Sequence, residues 1–252
     1  MVKNKYIKKA WYFLLVARMQ FFKVYAYIVL FFSCVAINIL GFLGAPLKAR
    51  LFICWVWSFL YRLGVLILLQ IYVKIDGKEN IPNYPCIYVS KHQSMLETFV
   101  FYGLVRRCCF VMKQELLEKP IFGTATKFTE AIGIDRSKGV SAMKKVLEDG
   151  KDRVQNKKLS IIIFPEGTRV AVGEYPKFHR SAMKLAMVTK LPIVPVAHNF
   201  GVYFGRKKGD LIKPGIARMS FEKPLNPQEH SIDELTDLCY NIINDKTKSF
   251  GG

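Results

Sequence analysis

The chain has 252 residues, with 38 Lys and Arg against 19 Asp and Glu, so its formal net charge is +19. Hydrophobic residues make up 51% of it, and the mean hydropathy is +0.17 despite the many lysines. This apolarity excludes a disordered chain, which combines low hydrophobicity with high charge. A basic and apolar chain is typical of a protein that works against an anionic surface. We expect a phospholipid membrane and no nucleic acid, because the sequence has no recognised nucleic-acid-binding motif.

The N-terminal part is the most apolar. Five lysines, one arginine and several aromatic residues are mixed in residues 1–23, and the 24-residue run 24–47 contains no charged residue. As a helix this run would extend about 36 Å, enough for a hydrocarbon core of about 30 Å. A second apolar stretch, residues 51–73, carries Arg62 at its middle. A signal peptide has a shorter apolar region, of about 7–15 residues. The pattern predicts membrane-binding helices over residues 1–75.

Two arrangements of these helices fit the sequence. A hairpin that turns near Pro46 would leave both ends in the cytoplasm, whereas the basic and aromatic leader resembles an interfacial helix. Arg62 favours a shallow position, because a charge at the bilayer centre is costly. The six cysteines include no CxxC pair and no metal-ligand spacing with histidines, which indicates reduced thiols. We therefore expect the protein to be anchored on the cytoplasmic face of the inner membrane.

Residues 76–252 have a different pattern and form the second predicted domain. Short apolar runs predict strands at residues 86–90, 109–112, 159–164, 193–197 and 217–221. Amphipathic stretches predict helices at residues 96–105, 141–155, 181–190 and 232–248. Strands that alternate with helices indicate an α/β domain. We predict a mixed, mostly parallel sheet flanked by helices.

The first candidate catalytic pair follows the first of these strands. His92 comes just after the strand, and Glu97 follows five residues later at a predicted helix start. A carboxylate that accepts one ring N–H fixes the histidine tautomer and leaves the other nitrogen as a base. The spacing alone is weak evidence, because a surface histidine near a helix N-terminal glutamate gives the same pattern.

Two arginines follow other apolar segments. Arg169 closes the turn Glu166-Gly167-Thr168-Arg169 after the strand at residues 159–164, and Arg136 follows residues 131–134. Open α/β sheets bind ligands at the carboxyl ends of their strands. Guanidinium groups at such positions are suited to a phosphate.

Four blocks together resemble the glycerolipid acyltransferase family. They are SKHQSxxETF from Ser90, IDR from Ile134, FPEGTR from Phe164 and IVPV from Ile193. Their order and spacing match the family motifs over roughly residues 76–225. The family usually has aspartate at the position of Glu97, and a form with glutamate is familiar among bacterial members.

The resemblance implies an activity. A fatty acyl group would pass from acyl-CoA or acyl-acyl carrier protein to the sn-2 hydroxyl of 1-acyl-sn-glycerol-3-phosphate (lysophosphatidic acid), giving phosphatidic acid for phospholipid biosynthesis. His92 would be the general base and Glu97 its orienting carboxylate, with no enzyme nucleophile, no bound cofactor and no metal. The thioester donor would be a co-substrate.

The resemblance also assigns the phosphate of the acceptor to the EGTR turn. Arg169 would pair with the phosphate, Arg136 would assist, and Gly167 and Thr168 would complete the turn around it. Glu166 would orient Arg169 or a substrate hydroxyl.

Alternative functions remain open from the sequence. The acceptor can be another lysolipid, such as a lyso-ornithine lipid. The chain can also be a catalytically inactive, basic membrane-binding module, although the intact pair of His92 and Glu97 and the complete EGTR turn argue against that.

Overall fold

The structure is a computed structural model that describes residues 2–135, 137, 139–205 and 212–252, with side chains from residue 13 onward. The helices are α1 (Val2–Phe42), α2 (Leu47–Leu69), α3 (Leu96–Leu104), α4 (Gln114–Leu117), α5 (Phe122–Phe128), α6 (Gly139–Gln155), α7 (Ser181–Thr189), α8 (Phe200–Tyr203) and α9 (Ile232–Ser249). The strands are β1 (Ile71–Asp76), β2 (Ile87–Ser90), β3 (Cys108–Lys113), β4 (Ile132–Ile134), β5 (Ser160–Ile163), β6 (Ile193–His198) and β7 (Gly215–Phe221).

In the described part of the chain, seven strands form one sheet in the order β1-β7-β6-β2-β5-β3-β4. Neighbouring strands are parallel except for β6 and β7. Every residue of β2, β5 and β6 is buried, because helices cover both faces of the sheet. The predicted α/β fold with a mixed, mostly parallel sheet is confirmed.

The two faces of the sheet carry separate hydrophobic clusters. Along β2, Tyr88 packs on the side of α1, α2 and α3, whereas Ile87 and Val89 pack on the side of α6, α7 and α9. This alternation is the period of two that a strand imposes on its side chains. The six cysteines are buried and unbridged.

The strands and helices predicted for residues 86–252 correspond to β2, β3, β5, β6, β7, α3, α6, α7 and α9. Two strands, β1 and β4, were not predicted. The apolar stretch at residues 51–73 contains both the end of α2 and the start of β1, which are separated at Gln70 in the left-handed conformation (φ 56°). The predicted domain boundary at residue 75 lies inside β1.

Helices α1 and α2 form an antiparallel hairpin. Residues 2–40 contain no glycine or proline, so the basic leader and the uncharged run continue as one helix of 41 residues. The Tyr25 ring fills the space beside Gly64, where a side chain would collide with it, and the Tyr25 hydroxyl donates to Leu60 O at 2.7 Å. Arg18 Nε donates to Leu68 O at 2.7 Å, which places a cation at the negative end of α2.

One side of this hairpin packs on the α/β domain. Ser58 Oγ donates to Phe99 O in α3, and Asn38 Nδ2 donates to Ile121 O at 3.0 Å. A Cβ atom at Gly103 would lie 2.5 Å from the Arg62 guanidinium. Arg62 therefore lies against α3, which accounts for a charge in the middle of α2.

The opposite side of the hairpin is exposed and apolar. Phe21, Tyr27 and Phe32 are 71%, 71% and 65% exposed on α1, and Ile67 is 62% exposed on α2. By length and composition, Phe13–Phe42 and Leu47–Leu69 are long and apolar enough to cross a membrane. Exposed apolar surface of this extent is typical of a membrane or protein contact.

Candidate active site

The predicted pair of His92 and Glu97 comes together at the carboxyl end of β2. This strand ends at Ser90 and α3 begins at Leu96, so Glu97 lies in the first helical turn. His92 Nδ1 lies 2.7 Å from Glu97 Oε1, and the same oxygen accepts a hydrogen bond of 3.0 Å from the Ser94 N–H. Glu97 is fully buried, whereas 18% of the His92 side chain is exposed. A buried carboxylate thus holds a ring that is open to substrate.

This geometry fixes the tautomer of His92. Nδ1–H donates to the carboxylate, which leaves Nε2 as the basic nitrogen. The Phe164 ring stacks on the imidazole with the centroids 4.0 Å apart and an interplanar angle of 15°. Burial opposes the ionisation of Glu97, but the hydrogen bonds that its carboxylate accepts from His92 and from the Ser94 N–H keep the pKa of Glu97 below its usual value. The ionised carboxylate can therefore stabilise an imidazolium at His92.

A second histidine lies behind this pair. His198 ends β6 and is fully buried, with Nε2 4.0 Å from Glu97 Oε2. Nε2–H donates to Lys91 O at 2.7 Å, and Nδ1 accepts a hydrogen bond of 3.3 Å from the Phe200 N–H. The neutral ring satisfies both bonds, and burial lowers the pKa of His198. His198 is therefore a neutral ring that holds the backbone just after β2 through its hydrogen bond to Lys91 O.

The EGTR turn, residues 166–169, follows β5, which is the neighbour of β2. Gly167 has φ 73°, a left-handed conformation that glycine adopts without strain. The Val170 N–H donates to His92 O at 2.8 Å, and the His92 N–H donates to Glu166 Oε1 at 3.3 Å. These two bonds join the turn to the backbone of the candidate base.

The remaining side chains of the turn lie toward solvent. Thr168 is exposed and Arg169 is partly exposed. The Tyr61 side chain of α2 lies near both Arg169 and Glu97, and its ring stacks on Phe99 with the centroids 3.3 Å apart. Helix α2 therefore contributes a side chain beside both motifs.

Arg136 lies outside the described residues. The strand that precedes it, β4, is parallel to β3, so β4 and β5 end at the same edge of the sheet. Asp135 Oδ1 accepts hydrogen bonds from the N–H and Oγ–H of Ser137 at 3.1 and 2.6 Å. Within the described residues, no group of three or more His, Cys, Asp and Glu side chains has metal-binding geometry.

Glu166 is anchored by a buried lysine. Lys91 Nζ lies 3.7 Å from Glu166 Oε1, and both side chains are fully buried. The ammonium group also donates to Glu174 O at 2.9 Å and to Asn244 Oδ1 at 3.1 Å, and it lies 4.6 Å from the Tyr175 ring centroid. Burial raises the pKa of Glu166 and lowers the pKa of Lys91, and each charge opposes the shift of the other. The pair connects the His92 backbone to α9.

We expect Lys91→Met to destabilise the protein by roughly 3–5 kcal/mol, because it leaves a buried carboxylate without its cation. The double variant Lys91→Met/Glu166→Gln should recover most of this loss, since neither charge then remains. Thermal unfolding of the parent protein, Lys91→Met, Glu166→Gln and the double variant in detergent measures the coupling between the two side chains. Additive losses in the double variant would show that the two side chains do not depend on each other.

Lys91, His198, Tyr61 and Asn244 were not identified as site residues from the sequence. Lys91 lies inside the SKHQS block, and His198 follows the IVPV block by two residues, so their positions next to strand ends were a usable signal. Tyr61 and Asn244 have no local signal, because α2 and α9 bring them to the site only through packing.

A partly exposed histidine held by a buried carboxylate, beside an arginine-bearing turn, is an arrangement that can support general-base chemistry. A sequence profile of the Acyltransferase family matches residues 72–199, which include both motifs. The chain belongs to this family.

Relatives within the family carry a more specific name. The chain is 44% identical over 131 residues to a 1-acyl-sn-glycerol-3-phosphate acyltransferase of Pseudomonas aeruginosa, covering 52% of this chain and 51% of that protein. It is 27% identical over 191 residues to the Saccharomyces cerevisiae protein of the same name, covering 75% of this chain and 63% of that one. The chain thus spans about half the length of the Pseudomonas relative.

The fold is also that of a solved structure. The crystal structure of the lysophosphatidic acid acyltransferase PlsC from Thermotoga maritima matches with a TM-score of 0.77 and 22% sequence identity. The match covers 94% of this chain and 96% of that one. It therefore includes the helical hairpin as well as the α/β domain.

Proposed function

We propose that the chain transfers a fatty acyl group from a thioester to the sn-2 hydroxyl of lysophosphatidic acid, forming phosphatidic acid. The observation that carries this proposal is the 2.7 Å contact between His92 Nδ1 and the buried Glu97 carboxylate, joined by backbone bonds to the EGTR turn. The names of the relatives support the acceptor. The thioester is acyl-CoA or acyl-acyl carrier protein.

The chemistry requires a base because an alcohol is a poor nucleophile at neutral pH. His92 Nε2 takes the hydroxyl proton while the oxygen forms a bond to the thioester carbonyl carbon. When the tetrahedral intermediate collapses, the carbon–sulfur bond breaks and the thiolate takes the proton from the imidazolium. Glu97 holds the ring and stabilises its charged form, so no covalent enzyme intermediate is needed.

Arg169 and Arg136 would bind the phosphate of the acceptor. The partly exposed guanidinium of Arg169 lies on the turn that is bonded to His92, so a bound phosphate would lie near the base. Charge-assisted bonds from a guanidinium to a phosphate are among the stronger hydrogen bonds in proteins. Glu166 would not contact the phosphate. Its carboxylate pairs with Lys91 and accepts a hydrogen bond from the His92 N–H, so it positions the backbone of the base.

The proposal is tested by an acyltransferase assay of the full-length protein in vesicles, with a panel of lysolipids and both donors. We expect phosphatidic acid to form from lysophosphatidic acid with at least one donor, and to form at least about 100-fold more slowly with His92→Ala. A faster reaction with lyso-ornithine lipid would overturn the proposed acceptor. Membrane binding with no turnover on any lysolipid would instead support an inactive membrane-binding module.

We also propose that the α1–α2 hairpin holds the enzyme on the cytoplasmic face, with its exposed side in one leaflet. Because its other side packs on α3 and α5, both helices would have to leave the domain to cross the bilayer alone. An anchored site would meet an acceptor and release a product whose chains stay in the membrane.

High salt should fail to extract the full-length protein from membranes, since salt screens charge but leaves apolar burial intact. Detergent should release it. The measurement is the fraction in the membrane pellet after each wash, with a salt-extractable peripheral protein as the control. Release by salt would show that the exposed side of the hairpin is not inserted.

A further inference from the structure

A groove lies at the opposite edge of the sheet from His92. It has a cavity volume of about 300 Å³ and is lined by Lys48, Leu51, Phe52, Trp55, Arg106 and Arg107. Arg107 immediately precedes β3, whereas His92 follows β2, and both strands are parallel to β5. The groove is therefore at the amino ends of these strands and is separate from the catalytic pair. We call it the basic aromatic groove.

Three cations converge on this groove. The Arg106 guanidinium lies 5.6 Å from the Trp55 ring centroid. Arg107 is held in place because its Nε and Nη2 donate to the carbonyl oxygens of Lys158 and Lys157 at 3.2 and 2.7 Å. Among the ion pairs of the described residues, none joins a carboxylate to Lys48, Arg106 or Arg107. An anion in the groove would offset their mutual repulsion.

The groove continues into an aromatic ladder on α2. The Phe52 and Trp55 rings are stacked at 5.7 Å, and the Trp55 and Phe59 rings are stacked at 6.3 Å. Phe52 is 57% exposed and Phe59 is 54% exposed. This ladder belongs to the exposed apolar side of the hairpin. A hydrocarbon chain fits along this ladder, and an anionic group attached to that chain fits among the three cations of the groove.

We propose that the basic aromatic groove binds a phospholipid with an anionic headgroup. The phosphate lies among Lys48, Arg106 and Arg107, and one acyl chain lies along Phe52, Trp55 and Phe59. This lipid is not turned over, because the groove and His92 are at opposite edges of the sheet. An acidic carrier protein fits less well, since its thioester has to reach His92 and its surface would cover exposed aromatic rings.

The test is binding of the full-length protein to phosphatidylcholine vesicles with and without phosphatidylglycerol. The variant Lys48→Ala/Arg106→Ala removes two exposed charges and leaves the Arg107 bonds intact. The matched control Lys190→Ala/Lys223→Ala removes two exposed charges elsewhere. We expect the groove variant to bind phosphatidylglycerol vesicles at least about tenfold more weakly, and the control to bind as the parent protein does.

Further measurements distinguish a lipid site in the groove from a general effect of charge. Turnover of lysophosphatidic acid in detergent micelles should be unchanged in the groove variant, and inorganic phosphate should not displace the vesicles. An equal loss in the control variant would indicate a diffuse charge effect and overturn the proposal. Unchanged vesicle binding in the groove variant, or a loss confined to binding of acyl carrier protein, would also overturn it.

Discussion

His92→Ala should lower turnover by roughly 10²- to 10⁴-fold, because a general base contributes about that much to a proton transfer. The loss should appear in kcat with either donor, since the ring acts on the attacking hydroxyl. His92 is partly exposed and ends no secondary element, so the variant should keep its fold and its membrane binding. Initial rates in vesicles measure the loss of turnover. Circular dichroism measures the fold, and vesicle sedimentation measures the membrane binding.

A suitable control for this variant is His230→Gln. His230 is a partly buried histidine just before α9, and it has no role in the proposed chemistry. Its variant should keep the parental rate. Residual activity of His92→Ala above about a tenth of the parental rate would contradict the assignment of the base.

Arg169→Ala should raise the KM for lysophosphatidic acid by about 10- to 150-fold, because one charge-assisted hydrogen bond contributes roughly 1.5–3 kcal/mol. The KM for the acyl donor should change much less. Arg169→Lys should have a KM for lysophosphatidic acid between those of the parent protein and Arg169→Ala, since an ammonium keeps the charge and loses the bidentate geometry. Steady-state kinetics with each substrate varied in turn separates these effects.

Arg180→Ala is the matched control for Arg169→Ala. Arg180 is 58% exposed and pairs with Asp233 at 2.9 Å, just before α7. Its loss removes the same charge without removing the proposed phosphate contact. If both variants raised the acceptor KM equally, the effect would be one of overall charge. A shift confined to the donor KM would place the thioester cofactor at the EGTR turn.

Local sequence signals were sufficient for the motif-bearing strands and the candidate base. The buried strands β2 and β5 each consist of three apolar residues and one serine, and each is followed by a motif rich in polar residues. His92 and Glu97 are only five residues apart, so a strand end followed by a helix start is enough to bring them together. The assignment of α6 and α9 relied in the same way on helical periodicity.

Other features depend on tertiary structure. A lysine next to a histidine is expected at the surface, and only the fold shows that Lys91 is buried between Glu166 and Asn244. The strand β1 was missed because its apolar residues continue the pattern of α2, and pairing with β7 decides its conformation. The strand β4 has three residues, too few for a period to be recognised.

The backbone bonds between the EGTR turn and His92 have a consequence for regioselectivity. His92 donates to Glu166 through its N–H and accepts from Val170 through its carbonyl, so the proposed base and the turn proposed to bind the phosphate are joined as one unit. The spacing between hydroxyl and phosphate that the site accepts is then set by the protein. In 2-acyl-sn-glycerol-3-phosphate the free hydroxyl is one carbon further from the phosphate than in the 1-acyl isomer. The enzyme should therefore discriminate between two isomers that have the same atoms, the same charge and the same chain.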